Sequence, residues 1–175
     1  AAAHAQESGV IRFGADVDYR PYSYVQEDGQ PNGMDVQLAE LVARRLGMLP
    51  AFSLGEWSQV QNDLRDGRVD VVLSALFTLS RSHEFIFTRP YNTDTISIFV
   101  RSDAPIETFP ELSDGTAATL DGDAIPETVF STSGIDPHML SFPTLSEALR
   151  AVADGRADYA LAPHNVGMEL IQSAG

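Results

Sequence analysis

One arginine lies between two segments that could build a ligand site. Arg81 follows an apolar run of strand length and precedes the aromatic segment Phe87–Tyr91, which reads Phe-Thr-Arg-Pro-Tyr. Polar groups at the end of a buried strand reach the sheet edge where open α/β proteins bind ligands. A guanidinium there offers a planar fork of donors that matches a carboxylate. The pattern therefore predicts a receptor for a small molecule that carries a carboxylate.

Length and charge limit the class of protein. The 175 residues fit one domain or two small lobes, and a 43% hydrophobic content is enough for a core. A formal net charge of −14 would repel phosphate backbones and anionic membrane surfaces, so nucleic acid is not an expected partner. The acidic residues are spread along the chain, which fits either a solvated surface or adaptation to salt.

Several kinds of chemistry find no support in the sequence. The chain has no cysteine, and its four histidines are too scattered for a metal pattern, so neither a metal nor another cofactor is expected. Motifs of hydrolases, metalloproteases and nucleotide-binding loops are missing. No apolar run is long enough for a membrane span. The terminus Ala1–Gln6 resembles the end of a secretory signal, with a cloning remnant or a loose terminus as the alternative.

Helices and strands alternate along the chain. Apolar residues recur at helical spacing in residues 34–46, and glycines follow this segment and the segment 58–66 as helix-terminating residues. Thr144 and Glu147 form the pattern of a capping box at the start of another helix. The complete prediction is strands at 10–15, 69–76, 96–100, 116–120 and 159–162, and helices at 34–46, 58–66, 126–130 and 144–154.

A short repeat indicates that two parts of the chain share one construction. Residues Asp66–Asp70 read Asp-Gly-Arg-Val-Asp, and residues Asp154–Asp158 read Asp-Gly-Arg-Ala-Asp. Each segment follows a predicted helix and precedes a predicted strand. A helix, a glycine turn and a buried strand form half of a βαβ unit, so two α/β lobes are expected.

Several motifs in one order resemble the family 3 extracellular solute-binding proteins, the periplasmic receptors typified by those for amino acids. The resemblance runs from about Val10 to Ala162. It implies an α/β, bilobal fold of the type II periplasmic-binding-protein kind, with two lobes around a cleft. The residues that carry it are Pro21–Tyr24, Gly33–Leu38, Trp57, Gly67–Asp70, Arg81 and Phe87–Tyr91.

The resemblance also implies a domain organisation. Residues 9–100 are expected to form lobe 1, which carries Arg81, residues 101–108 a hinge, and residues 109–175 an incomplete lobe 2. Members of the family normally return to lobe 1 through a further C-terminal segment. That segment is expected to be missing here.

The family's ligand residues carry over position by position. Arg81 would grip a ligand carboxylate, Trp57 would face Tyr19 across the ligand, and the backbone amides of the loop at Gly122 and Asp123 would complete the grip. The full set implied or considered is Asp16, Tyr19, Trp57, Ser74, Leu76, Phe77, Arg81, Gly122, Asp123 and His164.

Each of these residues has a simpler alternative. Arg81 could form a surface salt bridge, and Asp16 could cap the turn before Pro21. The aromatic residues could pack in the core, an alternative favoured most for Phe77. His164 and its neighbour Asn165 could lie on a surface loop.

Three positions depart from the family pattern. Leu76 replaces a hydroxyl residue, Pro163 replaces the aspartate that usually binds the ligand's ammonium, and Asp123 stands where Ser or Thr is common. An ordinary α-amino acid is therefore not the only ligand to expect, and related zwitterions belong to the same prediction.

The predicted function is the binding of a small polar solute with a carboxylate, in the periplasm or outside the cell, for uptake through an ABC transporter permease. The chain is expected to act as a monomer and not as an enzyme. One alternative is the ligand-sensing input of a membrane sensor kinase or cyclase. Another is an enzyme that resembles cyclohexadienyl dehydratases, with Glu127 and Asp123 as candidate carboxylates and prephenate or arogenate as the test substrates.

Overall fold

The computed structural model describes residues 9–106, 108–131 and 133–174. The predicted secretory segment Ala1–Gln6 lies outside the described residues. The chain divides into two compact units, residues 1–75 (the first unit) and residues 76–175 (the second unit). Within the described part, no helix is long and apolar enough to cross a membrane.

Among its described residues, the first unit has two sheets and two helices. Its elements are β1 (Val10–Asp16), β2 (Asp18–Tyr19), β3 (Ser23–Val25), β4 (Pro31–Asn32), α1 (Met34–Arg45), β5 (Leu49–Gly55), α2 (Trp57–Arg65) and β6 (Val71–Val72). Strands β5, β1 and β6 form a parallel sheet in that order, and β2, β3 and β4 form a small antiparallel sheet. Strand β1 is central and largely buried, as expected for a strand covered on both faces.

The second unit contains one mixed sheet. Its elements are α3 (Leu79–Ser82), β7 (Ile96–Val100), a 3₁₀ helix (Phe109–Asp114), β8 (Thr116–Leu120), α4 (Ile125–Phe130), β9 (His138–Phe142), α5 (Leu145–Ala153), β10 (Tyr159–Pro163) and α6 (His164–Ala174). The sheet order is β7-β10-β8-β9, in which β10, β8 and β9 are parallel and β7 is antiparallel to β10. All five residues of β10 are buried.

The two units repeat the same topology. In the first, β1, β5 and β6 occur in chain order and are arranged β5-β1-β6; in the second, β8, β9 and β10 are arranged β9-β8-β10. A helix connects each strand to the next, so both units contain a β-α-β-α-β core with its first strand in the middle. This agrees with the two α/β lobes that the sequence repeat predicts.

The repeated segment has the same hydrogen bonds in both units. The Asp70 amide donates to the Arg12 carbonyl at 2.8 Å, and the Asp70 carboxylate accepts from the Arg12 amide at 2.9 Å. The Asp158 amide donates to the Thr116 carbonyl at 2.9 Å, and the Asp158 carboxylate accepts from the Thr116 amide at 2.7 Å. We call this pair of bonds the aspartate clamp. Each clamp joins the turn after a helix to the first strand of its unit's β-α-β-α-β core.

Small apolar side chains fill the cores. The first unit buries Phe13 and Ala15 of β1 against Ala39 and Ala43 of α1. The second unit buries alanines of β8, α5 and β10 together, at Ala118, Ala148, Ala151 and Ala160. Helix α5 begins as the sequence predicts, because the Thr144 side chain accepts a hydrogen bond from the Glu147 amide at 3.2 Å.

Two sequence predictions need correction. The strand predicted at 69–76 is reduced to β6, because the Val69 amide bonds to the Asp63 carbonyl at the end of α2 and the backbone turns at Ser74. The strand at 96–100 was assigned to lobe 1 ahead of a hinge at 101–108. Its hydrogen bonds to β10 place it in the sheet of the second unit instead.

Candidate functional site

In each unit the candidate residues follow the carboxyl ends of parallel strands. In the first unit, Asp16 is the last residue of β1, Trp57 comes two residues after β5, and Ser74 comes two residues after β6. Because β1, β5 and β6 are parallel, these residues lie along one edge of the sheet. This is the edge at which open α/β sheets bind ligands.

The second unit repeats this placement. Gly122 and Asp123 follow the carboxyl end of β8, and His164 follows the carboxyl end of β10. Strands β8 and β10 are parallel, so the two loops emerge at the same edge of this sheet. The structure thus groups the predicted residues by sheet edge within each unit.

Asp16 has a structural partner at the end of β1. Its Oδ1 accepts a hydrogen bond from the Asp18 amide at 2.8 Å, and the residue is only 5% exposed. Its backbone carbonyl accepts from the Ser23 hydroxyl at 2.8 Å. These bonds fit the turn-capping alternative, and contact with a ligand ammonium stays a prediction.

The aromatic residues differ in exposure from what the sequence favours. Trp57 is 6% exposed, whereas Phe77, for which core packing was favoured, is 58% exposed. Phe77 meets only the edge of another ring, with its centroid 5.2 Å from that of Phe87. The ring centroids of Tyr19 and Tyr22 are 5.8 Å apart. The packing alternative is therefore wrong for Phe77, which presents most of its surface to solvent.

Arg81 is held by backbone carbonyls. It lies in the short helix α3, where the Thr78 hydroxyl accepts a hydrogen bond from the Arg81 amide at 3.1 Å. Its guanidinium donates to the Leu76 carbonyl at 3.1 Å and to the Gly122 carbonyl at 2.9 Å. These two bonds fix the direction of the guanidinium beside the loop that follows β8. The position of Arg81 next to Gly122 agrees with the predicted grouping.

Two backbone amides of the loop after β8 form hydrogen bonds within the second unit. The Asp121 amide donates to the Phe142 carbonyl at 2.8 Å, and the Asp123 amide donates to the Leu120 carbonyl at 3.1 Å. In this structure those two amides are therefore already bonded within the second unit. A grip on a ligand by the amides of this loop stays a prediction.

Asp123 carries a charge in a desolvated place. Burial raises the pKa of its carboxyl, while hydrogen bonds from the amides of Ile125 and Ala124 and the charge of Arg81 act in the opposite direction. Oδ1 accepts from the Ala124 amide at 2.7 Å and from the Ile125 amide at 3.3 Å. Asp123 thus caps α4 and lowers the local positive charge near Arg81.

His164 and Asn165 lie beside the start of β7. Nδ1 of His164 is 3.0 Å from the Ser97 hydroxyl, and the His164 amide donates to the Thr95 carbonyl at 2.7 Å. The Asn165 side chain donates to the Asp94 carboxylate at 3.3 Å. This exposed cluster follows Pro163, which replaces the family's ammonium-binding aspartate. The sequence analysis missed Asp94 and Ser97, because the antiparallel pairing of β7 with β10 was not foreseen.

Ser74 contacts Asp35, a residue that the sequence analysis did not select. Its hydroxyl donates to the carboxylate of Asp35 in the first turn of α1. Asp35 shares a helix face with the buried Ala39 and Ala43, four and eight residues later. An acidic residue on an otherwise apolar helix face was the signal that could have identified it.

The described residues hold no group of three or more His, Cys, Asp or Glu side chains that could bind a metal ion. The candidate residues supply a guanidinium, hydroxyls, carboxylates and aromatic rings. Such groups can bind a zwitterion without a metal.

Comparisons with known proteins identify the family of this chain. The family model of the bacterial extracellular solute-binding proteins, family 3, matches residues 11–168. A cyclohexadienyl dehydratase of Pseudomonas aeruginosa is 28% identical over 156 residues, which cover 87% of this chain and 58% of that protein. The probable amino-acid-binding protein YxeM of Bacillus subtilis is 27% identical over 176 residues, covering 97% of this chain and 65% of that protein.

A solved structure adds a third likeness. A histidine kinase sensor domain with similarity to periplasmic binding proteins is 32% identical, with a TM-score of 0.87, and the match covers 94% of this chain and 72% of that one. The chain spans 58% and 65% of the lengths of the two curated relatives.

Proposed function

Because the chain belongs to the bacterial extracellular solute-binding proteins of family 3, we propose that it binds a small polar solute with a carboxylate, an amino acid or a related zwitterion. In this proposal Arg81 holds the carboxylate, and Gly122, Asp123 and His164 of the same unit contribute contacts, while Ser74 is a candidate contact of the first unit taken by itself. The observation that carries the proposal is the position of the Arg81 guanidinium, which two backbone carbonyls fix beside the loop after a parallel strand.

We propose that this binding serves the uptake of the solute. A periplasmic or extracellular protein of this kind binds its solute as a monomer and delivers it to an ABC transporter permease. The family match and the likeness to a probable amino-acid-binding protein support this assignment.

The first experiment measures binding of amino acids. Thermal unfolding is followed with L-arginine, L-glutamine, L-cystine and a zwitterionic osmolyte such as glycine betaine, and calorimetry gives the dissociation constant of any hit. A ligand at 100 times its dissociation constant should stabilise the fold by about 2.7 kcal/mol.

Substitution of Arg81 then tests its role. A charge-assisted hydrogen bond contributes about 1.5–3 kcal/mol, so Arg81→Ala should weaken binding of the hit about tenfold or more. Arg81→Lys should also weaken binding, because the planar fork is lost. Arg44→Ala is the matched control, since Arg44 is an exposed arginine paired with Glu40 on α1. Equal affinities of Arg81→Ala and the parent protein would refute the role of Arg81.

A sensor input is the second candidate. The likeness to the histidine kinase sensor domain favours it, since that domain has the same fold and the highest identity of the three comparisons above. In this case ligand binding would be read by a fused membrane signalling module and not by a permease. A gene that encodes a membrane span and a kinase or cyclase after this region would support the sensor, whereas adjacent permease genes would support uptake.

We propose that the chain is not an enzyme, and the likeness to cyclohexadienyl dehydratase defines the test. Glu127 lies on α4 and is exposed, and the Asp123 carboxylate is engaged in capping that helix. Incubation with prephenate or arogenate, followed by ultraviolet absorbance, should show no turnover. Turnover that is lost in Glu127→Gln would establish the enzymatic alternative.

A further inference from the structure

Asp35 is a buried acidic residue with no assigned role. It is 2% exposed, although most charged residues of α1 are at the surface. Its backbone amide donates to the Tyr22 carbonyl at 3.0 Å. Its Oδ2 accepts the hydrogen bond of the Ser74 hydroxyl, from a residue 39 positions away in the chain. Burial of a carboxylate is unfavourable without such bonds, so the contact with Ser74 is a substantial part of what holds Asp35 in place.

Ser74 has an unusual backbone. Among the residues that the structure describes, it is the one non-glycine residue with a positive φ, 58°. In this left-handed conformation the Cβ atom crowds the carbonyl oxygen that follows, which costs free energy for any residue except glycine. Strained backbone of this kind persists where surrounding contacts enforce it, and it is found mainly at functional sites.

The position of Ser74 connects this strained backbone to the candidate residues of the first unit. Ser74 comes two residues after β6, and the amide of the preceding Leu73 donates to the Gly14 carbonyl at 2.9 Å. Asp16 and Trp57 follow the other two strands of the same parallel sheet at the same edge. The turn at Ser74 therefore sets the direction of the backbone at this candidate edge.

We propose that Asp35 is a positioning residue of the ligand site. Its carboxylate holds Ser74 in the left-handed conformation. The inference rests on the proposed function for the statement that Ser74 belongs to a ligand site. The contact itself, and its effect on the backbone at Ser74, are independent of any ligand.

Glycine at position 74 separates positioning from a general structural role. If Asp35 acts through Ser74, the damage caused by Asp35→Ala should be partly repaired by Ser74→Gly, because glycine adopts a φ of 58° without strain. If Asp35 only stabilises the start of α1, glycine at position 74 should repair nothing. The matched control is Asp63→Ala, which removes a carboxylate of the same unit that accepts from Arg68 at 2.7 Å.

The first measurement is thermal unfolding of the parent protein, Asp35→Ala, Ser74→Gly and the double variant, without ligand. We expect Asp35→Ala to lower the melting temperature by several degrees and the addition of Ser74→Gly to recover about half of that loss. Added to Asp63→Ala, Ser74→Gly should produce no recovery. Failure of glycine to recover Asp35→Ala, or equal recovery of both backgrounds, would overturn the proposal.

The second measurement is amide hydrogen exchange, which reports the backbone around Ser74 directly. Asp35→Ala should accelerate exchange in peptides that cover residues 72–75 about tenfold, while β1 and β5 stay protected. If that variant does not fold, Asp35→Asn replaces it; its amide oxygen still accepts from Ser74, so a smaller acceleration at the same residues is expected. Acceleration spread evenly over the first unit would refute a positioning role.

Affinity for a ligand is the third readout. Asp35→Ala should weaken binding of L-arginine, or of whichever amino acid binds the parent protein, and Ser74→Gly should restore part of the affinity. If no amino acid binds the parent protein, the proposed function fails. The unfolding and exchange experiments still decide the Asp35 contact in that case, so the two failures are distinguishable.

Discussion

At the scale of single residues, Asp123 combines two opposing contributions. Its carboxylate oxygen caps α4 by accepting from the Ala124 and Ile125 amides, which stabilises the helix start. Its burial opposes ionisation and raises its pKa. The capping bonds need an oxygen but not a negative charge, so the two contributions can be separated by substitution.

Asp123→Asn should therefore stabilise the protein at neutral pH. The amide oxygen keeps the hydrogen bonds from the Ala124 and Ile125 amides, and the desolvated ionisable group is removed. Because the pKa is higher in the folded state than in the unfolded state, the folded protein binds this proton more tightly, and stability is lost as the pH rises from the unfolded value through the folded one. Thermal unfolding from about pH 3 to about pH 8 should show a gain of a few degrees at pH 7 that vanishes below about pH 4.

A lower melting temperature for Asp123→Asn at pH 7 would contradict this account. It would mean that the attraction between Asp123 and Arg81 outweighs the unfavourable burial.

Tyr159 offers a second residue with a shifted pKa. It is fully buried, and its hydroxyl donates to the Leu112 carbonyl at 3.0 Å. Burial, and to a lesser extent the charge of Asp158, raise the pKa of Tyr159 to about 12. The neutral phenol is thus the form that fits the core.

Stability of the protein should fall between about pH 10, where unfolded tyrosine ionises, and pH 12, because the folded state keeps the proton that the unfolded state releases. Tyr159→Phe removes this contribution, so its unfolding free energy should depend less on pH in that range. At pH 7 the same variant should lose about 1 kcal/mol of unfolding free energy, since the Leu112 carbonyl loses one of its two donors and keeps the Gly115 amide. Denaturant unfolding at pH 7 and at pH 11 measures both effects, and parallel pH profiles would contradict the assignment.

The residues that follow predicted strands could be selected from the sequence. Gly122, Asp123 and His164 come directly after apolar runs that end at recognisable positions, and the structure places them at one sheet edge. The contact between Asp35 and Ser74 could not be found in this way. Nothing in the local pattern joins two residues that are 39 positions apart, and only the packing of α1 brings them together.

At the scale of elements, the longer helices were predictable and some strands were not. Helices α1, α2 and α5 have apolar residues at helical spacing and a glycine after their last turn, and their observed bounds differ from prediction by only one residue at each end. Strand β5 was missed. It contains Pro50 and lies at the edge of its sheet, where proline is tolerated but where the usual strand pattern is broken.

Strand β6 shows the opposite error. Apolar residues from 69 to 76 predict a long strand. At one end, however, the Val69 amide bonds to the Asp63 carbonyl of helix α2, and at the other end the left-handed turn at Ser74 ends the strand. Competition from neighbouring turns shortened the pairing with β1 to two residues.

The aspartate clamps give a prediction at this scale. Asp70 accepts from the Arg12 amide and also from its guanidinium, at 3.0 Å and 2.7 Å, and its side chain is 5% exposed. The hydrogen bond to Asp70 raises the pKa of Arg12, so the Arg12 guanidinium stays protonated. Asp158 accepts from the Thr116 amide and is exposed. The first clamp is therefore the stronger of the two.

We expect Asp70→Ala to lower the melting temperature by about 5 °C or more, and Asp158→Ala by about 2 °C. Buried hydrogen bonds to a charged group contribute more to stability than exposed ones. The loss for Asp70→Ala should therefore exceed the loss for Asp158→Ala. Arg68→Ala serves as the control, because its side chain joins the exposed part of the same turn. Equal losses for Asp70→Ala and Asp158→Ala would show that the guanidinium contributes nothing measurable.

At the scale of the whole molecule, the net charge of −14 is a property that no single contact reveals. Carboxylates of like sign repel one another across the surface, and this repulsion acts against the compact state. The exposed ion pairs, such as Arg44 with Glu40, contribute little in return.

Added salt should therefore stabilise the protein. Raising sodium chloride from about 0.05 M to about 1 M shortens the screening length to about 3 Å, which suppresses the repulsion. The melting temperature at pH 7 should rise by several degrees, and the rise should shrink near pH 4, where protonation removes much of the charge. A fall in melting temperature with salt at pH 7 would show that attractive pairs dominate.

The aspartate clamps also have a consequence for the order of folding. Arg12 and Asp70 are 58 residues apart, and Thr116 and Asp158 are 42 apart, so each clamp closes a long stretch of chain. Closure of such a loop is entropically unfavourable until the intervening helices and strands have collapsed. The central strand of each β-α-β-α-β core is thus secured only when the last strand of that core forms, and we expect the clamps to slow unfolding more than they speed folding.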